Sequence, residues 1–196
     1  MRQHEQQRER LLALLPAGGA CAEIGSWKGD FAAVILASRR PQRLHLVDPW
    51  EYHADDERAD ADLERGARQM DEVYESVLER FRSEIERGQV LVQRQRSLDA
   101  AASFADESLD WVYIDGDHAY EAVKGDLEAY YRVVKPGGFL AGDDYGVAGG
   151  SQCLSADGAP LLIGWGGDGI RRAVDEFADR CAEVTIIGTQ FLLKKP

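Results

Sequence analysis

An α/β fold with a mostly parallel sheet is what this sequence predicts, on three observations. Short apolar runs alternate with amphipathic stretches for most of the chain, the pattern of strands joined through helices. The last two apolar runs, 184–187 and 190–193, are joined by Gly188–Thr189 alone. A two-residue link permits only an antiparallel hairpin, so the last strand runs against the rest. The 196 residues, 44% hydrophobic and 30% charged, suit one globular domain that buries a core without disulfides.

Residues 1–17 predict a polar N-terminal helix carrying His4 on a solvated side. It ends in Leu11, Leu12, Leu14 and Leu15 and stops at Pro16 and Gly18–Gly19. Residues 20–24 read as a buried strand, 25–29 as a turn, and 30–39 as a helix turning Phe31, Val34 and Ile35 inward. Residues 43–47 are the next strand, with His45 in its core and Asp48–Pro49 at its end. Residues 51–66 hold few apolar side chains and predict an acidic loop or frayed helix beside the strand ends. Met70, Val73, Val77, Phe81 and Ile85 then fall at helical spacing. Residues 90–92, 109–114 and 139–142 are short strands. Tyr120, Val123, Leu127, Tyr131 and Val134 place a helix before the last of these. The glycine-rich stretch 146–169 predicts a long loop, and Ile170, Ala173, Val174 and Phe177 mark a final helix.

Thirty-five acidic residues against 23 basic ones leave a net charge of −12. Such a surface repels a phosphate backbone and argues against a general nucleic-acid binder. Cys21, Cys153 and Cys181 are odd in number and far apart. They match no zinc spacing or disulfide framework and suit a reducing cytoplasm. The longest apolar run, residues 31–37, is far short of the ~20 residues that span a bilayer. The N-terminal apolar stretch is also too short for a secretory signal. A cytoplasmic protein with no membrane or nucleic-acid partner is expected, and a homodimer through the N-terminal helix is plausible on this reading.

The chemistry gathers at the predicted carboxyl ends of the strands, where open α/β sheets bind ligands. Glu23-Ile-Gly25-Ser26-Trp27-Lys28-Gly29 lies between a strand and a helix. Gly25 permits a tight turn, Gly29 lets the helix pack closely, and the helix start offers free N–H groups. The spacing is not that of a dinucleotide loop, and Glu23 disfavours a pyrophosphate. Asp48 is either a ribose ligand or a turn residue before Pro49. Asp115-Gly116-Asp117-His118 and Gly142-Asp143-Asp144-Tyr145 each follow a strand. If those strands are parallel neighbours, Asp115, Asp143 and Asp144 converge. Three clustered carboxylates call for a cation, Mg²⁺ first and Ca²⁺ second. His118 or Asp117 is the candidate general base. Trp50, Tyr145 and Trp165 are candidates for stacking on an acceptor, and His53 for touching it.

AEIGSWKG, LVDPW, DWVYIDGDHAY and PGGFLAGDDY, in this order, resemble class I S-adenosylmethionine-dependent methyltransferases. The chain looks most like the small-molecule O-methyltransferase branch, catechol type or macrocin/novobiocin sugar type, strongly over residues 20–145. The resemblance implies a Rossmann-like three-layer sandwich with a seven-stranded sheet. It implies that Glu23, Gly25 and Ser26 hold the methionine end of the cofactor, Asp48 the ribose, and Arg96–Ser97 the adenine, with Asp115 beside them. It implies that Asp115, Asp143 and Asp144 are metal ligands. The catechol type has its base, a lysine, at the position of His118, and the sugar type has an aspartate at that of Asp117. Three departures stand out. Trp27 replaces the usual second glycine of the first motif, and DGDHAY is one residue longer than its sugar-type counterpart. The long loop after Asp144 has no counterpart in the family and is expected to shape the acceptor site. The reading is a metal-dependent O-methyltransferase of a small hydroxylated acceptor, of the kind found in natural-product biosynthesis. The alternatives are an NAD(P)-dependent oxidoreductase on a similar fold, or a non-catalytic binding protein.

Overall fold

A computed structural model describes residues 3–51, 60–146, 152–154, 160–162 and 169–196. In chain order the elements are α1 (Gln3–Leu14), β1 (Ala20–Ile24), α2 (Asp30–Arg39), β2 (Arg43–Asp48), α3 (Asp60–Arg80), α4 (Arg82–Glu86) and β3 (Val90–Arg94). They continue with α5 (Ser97–Ser103), β4 (Leu109–Ile114), α6 (Tyr120–Val133), β5 (Val134–Gly142), β6 (Gln152–Leu154), β7 (Pro160–Leu162), α7 (Gly169–Phe177), β8 (Glu183–Ile187) and β9 (Gln190–Lys194). Seven strands form one sheet in the order β3-β2-β1-β4-β5-β9-β8. The first five are parallel, and β9 runs antiparallel to both β5 and β8, as the two-residue link requires.

Strand alternation assigns each side chain to one of two cores. Ala22, Ile24, Val112 and Ile114 pack with Val123, Leu127, Ile170 and Val174 of α6 and α7. Cys21, Leu44, Leu46, Trp111, Tyr113 and Ala141 pack with Leu11, Leu12, Phe31, Ile35, Met70 and Val77 of α1, α2 and α3. The result is helix, sheet, helix. Leu11, Leu12 and Leu15 are at most 2% exposed, and each such burial stabilises by about 1.5–3 kcal/mol. The C-terminal half of α1 is therefore firmly seated on the chain's own sheet. No described helix is long and apolar enough to cross a membrane.

Several local expectations are corrected. Val34 is 38% exposed, and the small Ala32 takes its place in the inward stripe beside Phe31 and Ile35. Phe81 breaks the long helix, separating α3 from α4. The short α5, with Ala100 and Ala101 buried, was not foreseen because seven residues span barely two turns. The inner face of α6 is Val123, Asp126, Leu127, Tyr130 and Val133, while Tyr131 is half-buried and Val134 already belongs to β5. Within 146–169, β6 and β7 form a two-stranded antiparallel ribbon. His53, Trp165 and the remainder of that stretch lie outside the described residues.

Candidate active site

Register fixes the site. Ile24 lies level with Val47 and Ile114, and Ile114 with Gly142. The carboxylates just before or after these positions therefore meet at one edge. Alternation also turns Glu23, Asp48, Asp115 and Asp143 to the face that α1, α2 and α3 cover. The reversal of strand order between β1 and β4 is the switch point at which such sheets take ligands.

On the β1–β2 side the main chain builds the site. Gly25 has φ +85, and a Cβ there would lie 2.0 Å from the Asp115 carbonyl oxygen, so only glycine fits. Gly29, with φ +74, caps α2 without a side-chain acceptor, leaving the first N–H groups of that helix to a ligand. Trp27 accepts the left-handed conformation at φ 47, the backbone shape a glycine adopts without strain. Asp48 clamps both turns: its Oδ2 accepts the Trp27 N–H at 2.9 Å and its Oδ1 the Trp50 N–H at 2.7 Å. Burial raises its pKa. Asp48 is thus a turn residue, with lone pairs still available to a ribose hydroxyl. The Ser26 hydroxyl donates to the Glu23 carbonyl at 3.3 Å.

Glu23 is 2% exposed, and its Oε2 has no hydrogen-bond partner. Burial pushes its pKa up to about 8. An orphaned buried carboxylate oxygen is costly unless a ligand supplies a donor. The ammonium group of a methionine moiety would do so, and the glycine turn and the α2 N-terminus suit its carboxylate. The residues present fit S-adenosylmethionine. Ser97 fits the adenine less directly than expected: its hydroxyl donates inward to Asp126 Oδ1 at 2.5 Å. The Asp126 pKa is pushed up to about 6 by burial.

On the β4–β5 side, side chains distant in sequence build the site. Asp143 is 2% exposed. Its Oδ1 accepts the Asp144 N–H at 2.7 Å, the Thr189 hydroxyl at 3.0 Å and the Gln190 amide. Its Oδ2 accepts Arg8 Nε at 2.6 Å and lies 2.8 Å from His4 Nε2. Arg8 Nη2 also donates to Asp115 Oδ2 at 2.5 Å. Burial alone would raise the Asp143 pKa, yet the Arg8 guanidinium holds it below the usual carboxylate value. Burial wins at Asp115, which rises to about 7 despite Arg8. Asp144, at φ 60, is also raised by burial and by Asp143.

Of the predicted cation set, Asp115 and Asp143 meet across Arg8, and with α1 seated Asp115, Asp143 and Asp144 do not form one site for Mg²⁺ or Ca²⁺. Asp143 accepts from four residues and has His4 Nε2 against Oδ2 as well, which crowds a metal off its two oxygens. The groups whose donor atoms lie within 4.8 Å of one another are Asp115, His118 and Asp144, and His4, Asp143 and Asp144. The first of these shares Asp115 with Arg8.

His118 Nε2 lies 3.4 Å from Asp144 Oδ2 and 3.9 Å from Asp115 Oδ1. Asp117 instead accepts the Ala119 N–H at 2.9 Å, closing the turn into α6. A small cleft is lined by Asp115, Asp117, His118 and Asp143. Trp50 is 1% exposed, and its indole N–H donates to the Trp27 carbonyl at 2.8 Å. It packs the turn rather than stacking on an acceptor. Tyr145 ties its hydroxyl to Asp175 at 2.8 Å. His45 is a half-buried histidine of β2 rather than a core residue, edge-on to Phe104, with its pKa lowered by burial. Arg8, Thr189 and Gln190 were not singled out from sequence. The available signal was the helical stripe His4, Arg8, Leu11, Leu12, Leu15, polar at one end and apolar at the other.

A 37-residue stretch is 46% identical to an uncharacterised protein of Acanthamoeba polyphaga mimivirus, covering 19% of this chain and 17% of that one. A Streptococcus mutans structure solved with S-adenosylhomocysteine superposes at TM-score 0.59, with 10% identity, over 100% of this chain and 99% of that one. Phosphoethanolamine N-methyltransferase 2 of Haemonchus contortus, solved with phosphomonomethylethanolamine and S-adenosylhomocysteine, superposes at 0.57 with 17% identity. That match covers 92% of this chain and 38% of the other. These likenesses establish the Rossmann-like methyltransferase fold. A family profile described as a methyltransferase domain matches residues 22–145, the span that holds every motif above. The chain belongs to that methyltransferase family.

Proposed function

We propose that the chain moves the methyl group of S-adenosylmethionine to a hydroxyl of a small molecule held at the carboxyl ends of β4 and β5. The observation that carries this reading is His118, whose Nε2 faces Asp144 and Asp115 at 3.4 and 3.9 Å. Two carboxylates there stabilise the imidazolium formed when His118 takes a hydroxyl proton. The cofactor, when bound, supplies an electrophilic methyl and its own leaving group. The chain's residues bind and orient. Glu23 receives the ammonium group on its orphaned oxygen. The α2 N-terminus faces the carboxylate, and Asp48 accepts ribose hydroxyls. The acceptor oxygen is placed by the cleft that Asp115 and His118 line, and positioning supplies much of the rate.

A sugar, a catechol or another natural-product hydroxyl fits this reading. A nucleic acid does not, given the net charge of −12. A cytoplasmic setting goes with it. The test is transfer of labelled methyl from S-adenosylmethionine to a panel of hydroxylated small molecules, with products identified by mass. His118→Ala should lower turnover by about 10²–10⁴-fold, with S-adenosylhomocysteine affinity nearly unchanged. Full turnover in that variant would remove His118 as the base. Labelled methyl found only on nitrogen would overturn the hydroxyl acceptor.

A further inference from the structure

Arg8 is separated from Asp115 and Asp143 by 107 and 135 residues, yet it bridges them. The contact is built on several sides. The guanidinium lies over the Phe31 ring, 4.9 Å from its centroid, and 5.9 Å from that of Tyr113. The Tyr113 hydroxyl donates to Gln190 Oε1 at 2.6 Å, and the Gln190 amide donates to Asp143. Gln190 is fully buried. A planar fork stacked on rings and donating to two carboxylates is a geometry an ammonium cannot reproduce. The leucines of α1 fix the helix from which the fork projects.

We propose that Arg8 is the resident cation of this edge: its guanidinium takes the place between Asp115 and Asp143 that the sequence assigns to a divalent ion, and the chain works without one. The inference rests on the methyltransferase reading for its functional meaning. Its geometric content, exclusion of a divalent ion by Arg8, stands apart from that reading. Arg8 leaves the carboxylates in place but satisfies their charge. Its positive charge then stands beside the acceptor cleft permanently, and α1, which lies outside the family match at residues 22–145, completes the site.

The experiment measures Mn²⁺ binding by the resonance of the free ion, on the full chain, with S-adenosylhomocysteine titrated in parallel. Arg8→Met keeps an apolar stem on Phe31 and removes the charge, whereas Arg8→Lys keeps the charge without the fork. The wild type and Arg8→Lys should leave Mn²⁺ free at millimolar concentration. Arg8→Met should bind it at one site, roughly 100-fold more tightly, because its carboxylates are left uncompensated. One Mn²⁺ bound tightly by the wild type, through Asp115, His118 and Asp144 for instance, overturns the proposal. So does exclusion of Mn²⁺ by Arg8→Met as well as the wild type, since the carboxylates would then form no cation site for Arg8 to fill. If Arg8→Met does not fold, Mn²⁺ bound by Arg8→Lys overturns the proposal, and Mn²⁺ excluded from both Arg8→Lys and the wild type supports it. Loss of S-adenosylhomocysteine binding in the wild type would strike the methyltransferase reading, and leaves the Mn²⁺ result to decide the role of Arg8.

Discussion

The two wings of the strand edge are built by different means. The β1–β2 wing is made of turns: Gly25, Gly29, Trp27 and Asp48 shape the main chain within a few residues of each strand end. The β4–β5 wing is made of side chains from opposite ends of the sequence, with Arg8 and His4 from α1 and Thr189 and Gln190 from the β8–β9 hairpin meeting on Asp143. A wing of turns presents N–H groups and one unsatisfied carboxyl, ready for a ligand common to a whole family. A wing of long-range side chains is already satisfied internally, and it can be retuned for a particular acceptor without disturbing the first.

Gln190→Leu should break the second wing most severely. It strips one donor from the buried Asp143 and the acceptor from the Tyr113 hydroxyl, and a lost charge-assisted bond with one stranded buried hydroxyl costs about 3–5 kcal/mol together. Urea unfolding measures the loss, and a loss below about 1 kcal/mol would show that the network is not cohesive. Gly25→Ala should break the first wing by about 2–4 kcal/mol, because its methyl meets the Asp115 carbonyl at 2.0 Å in a left-handed conformation.

Glu23→Gln sharpens the comparison without breaking either wing. It keeps the size and removes the charge, so S-adenosylhomocysteine affinity should fall about 10–100-fold, the worth of a charge-assisted bond. The same residue sets a pH dependence. Its folded pKa of about 8 stands above the ordinary 4.5, so the folded state holds a proton that the unfolded chain has released. The stability this gives is complete below about pH 4.5 and is lost as pH rises through about 8. Asp115, raised to about 7, acts with the same sign. Urea midpoints of the ligand-free protein should therefore fall across that window, and fall less in Glu23→Gln. The smallest effect belongs to Asp117→Ala, which loses the turn bond to Ala119. About 1 kcal/mol of stability should go, with turnover changed far less than by His118→Ala. An equal loss of turnover would make Asp117 the base.

The same contrast explains what the sequence made legible. Seven strands, the antiparallel β9 and the placing of Asp115 and Asp143 at neighbouring strand ends follow from short apolar runs, a two-residue link and strand ends, all of which are local signals. The strained turn at Trp27 was visible as a departure from glycine. What the sequence hid was the company that Asp143 keeps. A helical stripe running from Leu15 back to Arg8 shows that a face is buried, but not that its polar end reaches a carboxylate 135 residues away. Clustered carboxylates imply a nearby positive charge, and the structure sets the Arg8 guanidinium of α1 against two of them. Asp126, buried on the inner face of α6 and bonded by Ser97, is a second long-range pairing with no local signal.

The most direct test of the account is a calorimetric titration of the wild-type chain with S-adenosylhomocysteine, with no added metal, in two buffers of different ionisation enthalpy. The account predicts one site per chain and a net release of protons near pH 7, as the ligand's ammonium group ionises Glu23. Binding that requires a divalent ion, or no binding at all, would contradict it.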